Sequence, residues 1–203
     1  DVGAIGAAYY TGNFHKWVCA PKGAAFLWVR GDLQRHVRPL AISHGANSPR
    51  TDRSRFRLEF DWGGTSDPTP FLCVPAALSF LGALLPGGWA ELMDRNRGLA
   101  LAMRTRLAAR LACELPCPDA MVGSIATIPL PAAPPPRSGA PVPAYQTALQ
   151  SALVERHAVQ VPIIEWFDPV RRFVRISAQI YNDPSDYERL GDALLAELAA
   201  ERS

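Results

Sequence analysis

The chain has 203 residues, 48% hydrophobic and 20% charged, with a formal net charge of +2. This balance describes a globular protein with material for a substantial core; it excludes a disordered chain and gives no electrostatic reason to expect a nucleic-acid partner. No apolar run reaches the roughly 18 residues that a membrane-spanning helix needs, so no membrane partner is expected.

In chain order, residues 5–10 and 24–29 are short, apolar and aromatic and read as two strands, with Pro21 and Gly23 supplying a turn between them. Residues 31–62 are polar and arginine-rich, with an exposed loop expected over 43–49. An apolar stretch at 75–85 reads as a buried helix stopped by Pro86-Gly87-Gly88. A long amphipathic helix is expected from Trp89, with Leu92, Met93, Leu99, Ala100, Met103, Leu107 and Leu111 as its core stripe and Arg97, Arg104, Arg106 and Arg110 largely outside it. A strand over 124–130 leads into a proline-rich loop at 129–143. A helix over 145–157 follows, then strands at 159–167 and 173–180 joined by a turn at Asp168-Pro169. A last helix runs from the Asn182-Asp183-Pro184-Ser185 cap to near residue 201. Sheet pieces followed by helices and a strand pair give an α/β chain whose smaller C-terminal part is α+β. The chain begins at Asp1 directly before apolar sequence, and the expectation is a fragment whose N-terminal portion is absent.

Cys19, Cys73, Cys113 and Cys117 form no Cys-x-x-Cys pair, so neither a disulfide framework nor a metal site is expected, and the thiols read as those of a reduced cytoplasmic protein. The cluster Arg50, Arg53, Arg55 and Arg57 has Phe56 as its only interleaved aromatic, too little for a nucleic-acid surface. An arginine-lined loop that meets a second acidic group on a substrate, with His44 joining it, is the alternative use. His36 and His157 have no evident partner and read as structural; Arg171 and Arg172 read as solvated.

Of the 21 basic residues only Lys16 and Lys22 are lysines. A lysine amine can lose its proton and attack a carbonyl, which a guanidinium does not do. Lys16 lies in Asn13-Phe14-His15-Lys16-Trp17, followed by Pro21-Lys22-Gly23 and an apolar strand. Downstream come Trp62-Gly63-Gly64-Thr65-Ser66-Asp67-Pro68-Thr69-Pro70 and then Val174-Arg175-Ile176-Ser177 with Tyr181-Asn182. In order and rough spacing these segments resemble the class V aminotransferase family of fold-type I pyridoxal-phosphate enzymes, with the isopenicillin N epimerase-like branch as the best match.

The resemblance runs over nearly the whole chain and implies a C-terminal half. Residues 1–88 would be the C-terminal part of the large cofactor-binding domain, and 89–203 a connecting helix and a small α+β domain. It implies pyridoxal 5'-phosphate as cofactor and Lys16 as the Schiff-base residue and later general base. His15 and Asn13 would lie around the cofactor phosphate, although Asn13 departs from the serine of the related cysteine-desulfurase pattern; Trp17 would pack beneath the loop. Gly64 and Thr65 would bind phosphate across a dimer interface, making a homodimer with shared sites, and Arg175 would clamp the carboxylate of an amino-acid substrate. Epimerisation and transamination need the same lysine and arginine. Carbon–sulfur cleavage by a desulfurase would need a nucleophilic cysteine, and none lies between His157 and Val174. The competing reading is an inactive fragment or a protein-interaction remnant of the fold.

Overall fold

A computed structural model describes residues 1–133, 147–167 and 170–202. Most of the expected proline-rich loop, the helix start at Tyr145 and the Asp168-Pro169 turn lie outside the described residues. The chain divides into two units, Asp1–Leu84 and Leu85–Ser203.

In the first unit, the Asp1 carboxylate accepts hydrogen bonds from the N–H groups of Gly3 (2.9 Å) and Ala4 (3.4 Å), and Gly6 turns left-handed at φ 68°. These two caps make a single helical turn, α1 (Val2–Ile5), where a strand was expected. The strand β1 (Tyr9–Asn13) starts later and pairs antiparallel with β2 (Ala25–Val29), Tyr9 opposite Val29 and Asn13 opposite Ala25. Tyr10, Phe14 and Phe26 stack on one face, with ring centroids 5.2–5.8 Å apart. Gly12 sits under the Phe26 ring, where a Cβ would lie 2.6 Å from it. Short helices follow: α2 (Arg55–Phe60), α3 (Thr69–Leu72) and α4 (Val74–Gly82). The expected buried helix at 75–85 exists as α4 but is not buried; Leu78 and Phe80 are exposed and Leu81 alone is covered. An apolar run signals a face that is to be covered, but it does not say by what.

The second unit is built on α5 (Gly88–Arg110), a three-stranded antiparallel sheet, α6 (Ala148–His157) and α7 (Pro184–Arg202). The sheet consists of β3 (Ile125–Leu130), β4 (Ile163–Phe167) and β5 (Val170–Ser177), ordered β3-β5-β4. Alternation along β5 turns Arg172, Val174 and Ile176 inward, in line with Ala126, Ile128 and Leu130 of β3, and these meet Leu107, Leu153, Leu190 and Leu194 from the helices. Two positions of α5, one expected in the core stripe and one outside it, are exchanged. Met93 is exposed while Arg104 is 1% exposed, because its long side chain runs inward to the Cys117 carbonyl and to Asp119 at 3.4 Å. Arg172 is not solvated either. It lies inside β5 and grips Glu201 of α7 with two hydrogen bonds of 2.8 and 2.7 Å. His157 has a partner after all, the Glu197 carboxylate at 2.8 Å. Among the described residues no helix is long and apolar enough to cross a membrane.

Candidate active site

The loop between β1 and β2 is a compact turn with Lys16 near its apex. The Ala24 carbonyl accepts from the N–H groups of Phe14 (2.9 Å) and His15 (3.2 Å), the Phe14 carbonyl from Ala20 N–H (3.0 Å), and the Lys16 carbonyl from Cys19 N–H (3.0 Å). Cys19 and Gly23 take positive φ, 56° and 95°, which closes the turn in so few residues. Lys16 is exposed, and its amine has no hydrogen-bond or ion-pair partner among the described residues. The His15 ring is fixed by its Nδ1, 2.9 Å from the Ala24 carbonyl. A carbonyl only accepts, so Nδ1 carries the proton and Nε2 is left to meet a ligand. Asn13, last in β1, is exposed beside this turn.

Thr65 is exposed on a second loop, with no hydrogen bond to Lys16, His15 or Asn13 in the described chain. Gly64 before it has φ 126°, a conformation that side-chain-bearing residues avoid, and the position its Cβ would occupy is 3.8 Å from Ser43 Oγ. The 43–48 segment is held from α2. Arg55 donates to the carbonyls of Gly45, Ala46 (3.0 Å) and Ser48 (3.2 Å), and Gly45 lies directly against the Leu58 backbone. The rest of the arginine cluster is committed as well: Arg50 pairs with Asp52, and Arg57 with Asp61 at 2.9 Å. Arg53 lies 3.7–3.8 Å from both carboxylates. Local ion pairs thus occupy the cations that were considered for a second acidic group of a substrate.

Arg175 belongs to the second unit. It stands on β5 opposite Thr127, on the face away from Val174 and Ile176 as the alternation predicts. Its Nε is buried with no hydrogen-bond partner, and the residue lines a pocket of about 230 Å³ together with Gln160, Asn182, Asp186 and Arg189. Buried N–H groups are normally paired, which makes the Arg175 Nε an exception. The turn after β5 is shaped by buried amides. Asn96 Nδ2 donates to Gln179 Oε1 at 2.9 Å, and the Gln179 N–H donates to Asn182 Oδ1 at 3.2 Å. Sequence reading passed over this pair because nothing in a lone Asn on a helix signals a partner 83 residues away. Among the described residues no group of three or more His, Cys, Asp or Glu could hold a metal ion.

Comparison with solved structures identifies the architecture. The chain superposes on the cysteine desulfurase of Thermococcus onnurineus NA1 with a TM-score of 0.68 at 14% identity, covering 98% of this chain and 49% of that one. It superposes on the cysteine desulfurase CsdA of Escherichia coli with a TM-score of 0.61 at 17% identity, covering 98% and 48%. The fold is that of a portion of these two structures, about half of each. In sequence the chain is 32% identical over 200 residues to a probable chloroplastic L-cysteine desulfhydrase of Arabidopsis thaliana, covering 96% of this chain and 40% of the relative. It is 32% identical over 206 residues to isopenicillin N epimerase of Amycolatopsis lactamdurans, covering 96% and 48%. No protein-family model matches. The chain is similar to these relatives along nearly its own whole length and spans less than half of the length of each.

Proposed function

We propose that this chain is the C-terminal half of a pyridoxal-phosphate-dependent enzyme acting on an amino acid, with Lys16 as the residue that anchors the cofactor. The carrying observation is the Lys16 turn, which presents one unpartnered primary amine next to a histidine whose ring is held through Nδ1. The donor set suits the cofactor. Lys16 would meet its aldehyde, while His15, Asn13, Thr65 and the backbone around Gly64 would hold its phosphate. Bound there, the cofactor supplies an electron sink for chemistry at the substrate α-carbon.

With the cofactor bound, the Lys16 amine would hold and move the proton at that α-carbon. Arg175 receives the substrate carboxylate, which would satisfy its orphaned Nε. Residues 1–88 form the C-terminal part of the large domain in this reading, and 89–203 the connecting helix and small domain. In this reading Thr65 serves the site of a second copy, and the enzyme is a homodimer. The reaction class is epimerisation, transamination or carbon–sulfur cleavage. The last was disfavoured above for want of a nucleophilic cysteine, but it regains weight because desulfhydrases stand beside an epimerase among the relatives.

Borohydride reduction of the cofactor-loaded protein followed by peptide mapping tests the assignment. A pyridoxyl group is expected on Lys16 and is expected to disappear in Lys16→Arg. A label on Lys22, or cofactor bound with no label, would refute it.

A further inference from the structure

The pocket beside Arg175 contains a second cation that the reading above does not use. Arg189, in the second turn of α7, lines the same pocket and, like the Arg175 guanidinium, has no ion-pair or hydrogen-bond partner among the described residues. The acidic groups at this end of α7 are already engaged. Asp186 Oδ2 accepts from Asn182 Nδ2 at 3.1 Å and from Asp183 N–H at 3.3 Å, and Asp183 Oδ1 accepts from Ser185 N–H at 2.7 Å. Arg175 and Arg189 are therefore the pocket's unpartnered cations, and against the one carboxylate in its lining, Asp186, they leave it net positive. At about 230 Å³ the space is below the range of roughly 300–1,000 Å³ that holds drug-sized ligands, and it suits a small metabolite.

We propose that this pocket takes a molecule with two anionic groups, one carboxylate on Arg175 and a second acidic group on Arg189. Arg189 is then a specificity-determining residue, and the substrate class is an amino acid whose side chain carries a second carboxylate or an equivalent anion. The inference rests on the reading of Arg175 as the carboxylate anchor. It assigns to Arg189 the part that the arginines at 50–57, tied up in local pairs, leave unfilled.

Calorimetric titration with glutarate and butyrate, without cofactor, separates the two ideas. The wild-type protein is expected to bind glutarate about two- to fivefold more tightly than butyrate, the worth of one partly exposed ion pair. Arg189→Gln is expected to remove that preference and Arg189→Lys to keep most of it, with unchanged thermal midpoints showing that both variants are folded. Glutarate bound no better than butyrate by the wild-type protein, or not at all, overturns the inference; so does a preference that survives in Arg189→Gln. Arg175→Gln tests the anchor separately: it is expected to lose both ligands. Unchanged affinities there would overturn the role of Arg175 itself, and the two-anion assignment with it.

Discussion

Replacing Arg172 by alanine removes a buried ion pair between β5 and α7. The guanidinium is 2% exposed. It makes two hydrogen bonds to Glu201, itself 21% exposed, at 2.8 and 2.7 Å, and a third from Nε to the Pro131 carbonyl at 2.8 Å. Breaking a fully buried pair from one side costs about 3–5 kcal/mol, chiefly because the surviving charge has lost its partner. Here Glu201 keeps some access to water, which recovers part of that cost, and the orphaned Pro131 carbonyl adds to it. The expected loss is about 2–4 kcal/mol, a large share of the roughly 5–15 kcal/mol that stabilises a domain. Urea denaturation followed by far-ultraviolet circular dichroism measures it as a shift in midpoint at unchanged slope.

The double variant Arg172→Met/Glu201→Leu discriminates the cause. With both charges gone and apolar volume restored, most of the lost stability should return, since burying ions is itself costly. A loss below about 0.5 kcal/mol in Arg172→Ala would place the residue among surface ion pairs and refute the reasoning. A double variant no better than the single would show that packing of the arginine stem, and not the orphaned carboxylate, carries the effect. Because Arg175 is three residues further along the same strand, the double variant should also retain carboxylate binding.

Two other outcomes follow from particular contacts. Burial pushes the Tyr187 hydroxyl, which donates to the Ser177 carbonyl at 2.8 Å, up to about 12 from an ordinary value of 10.0. The unfolded chain therefore releases this proton first, so stability is full below pH 10.0 and falls as pH rises toward about 12; Tyr187→Phe should flatten that segment of a stability–pH curve, and an unchanged slope would count against the burial argument. In Gly45→Ala the new Cβ would lie 1.9 Å from the Leu58 carbonyl oxygen, a backbone atom, so α2 must move; about 1–3 kcal/mol of local stability should go, read as faster amide exchange over residues 43–60, and unaltered protection there would contradict the contact.

The sequence alone determined those features that depend on local periodicity and residue chemistry. The long helix α5, the alternation that sets Arg175 opposite Val174 and Ile176, the closing helix α7 and the Pro21–Gly23 turn beside Lys16 were all legible, because each is specified by residues within a few positions of one another. The three motifs that point to Lys16, Thr65 and Arg175 were legible for the same reason, as short runs of distinctive chemistry. Tertiary structure decided which long side chains are paid for inside the core. Arg104 and Arg172 read as surface residues because a guanidinium is costly to bury, and partners distant in sequence, among them the Cys117 carbonyl and the Glu201 carboxylate 13 and 29 residues away, make their burial tolerable. The same holds for the commitment of Arg50 and Arg57 to neighbouring aspartates, for the Asn96–Gln179 link, and for the freedom of Arg189. Whether a charged group is spent or available depends on partners that folding brings to it, and no local pattern records them.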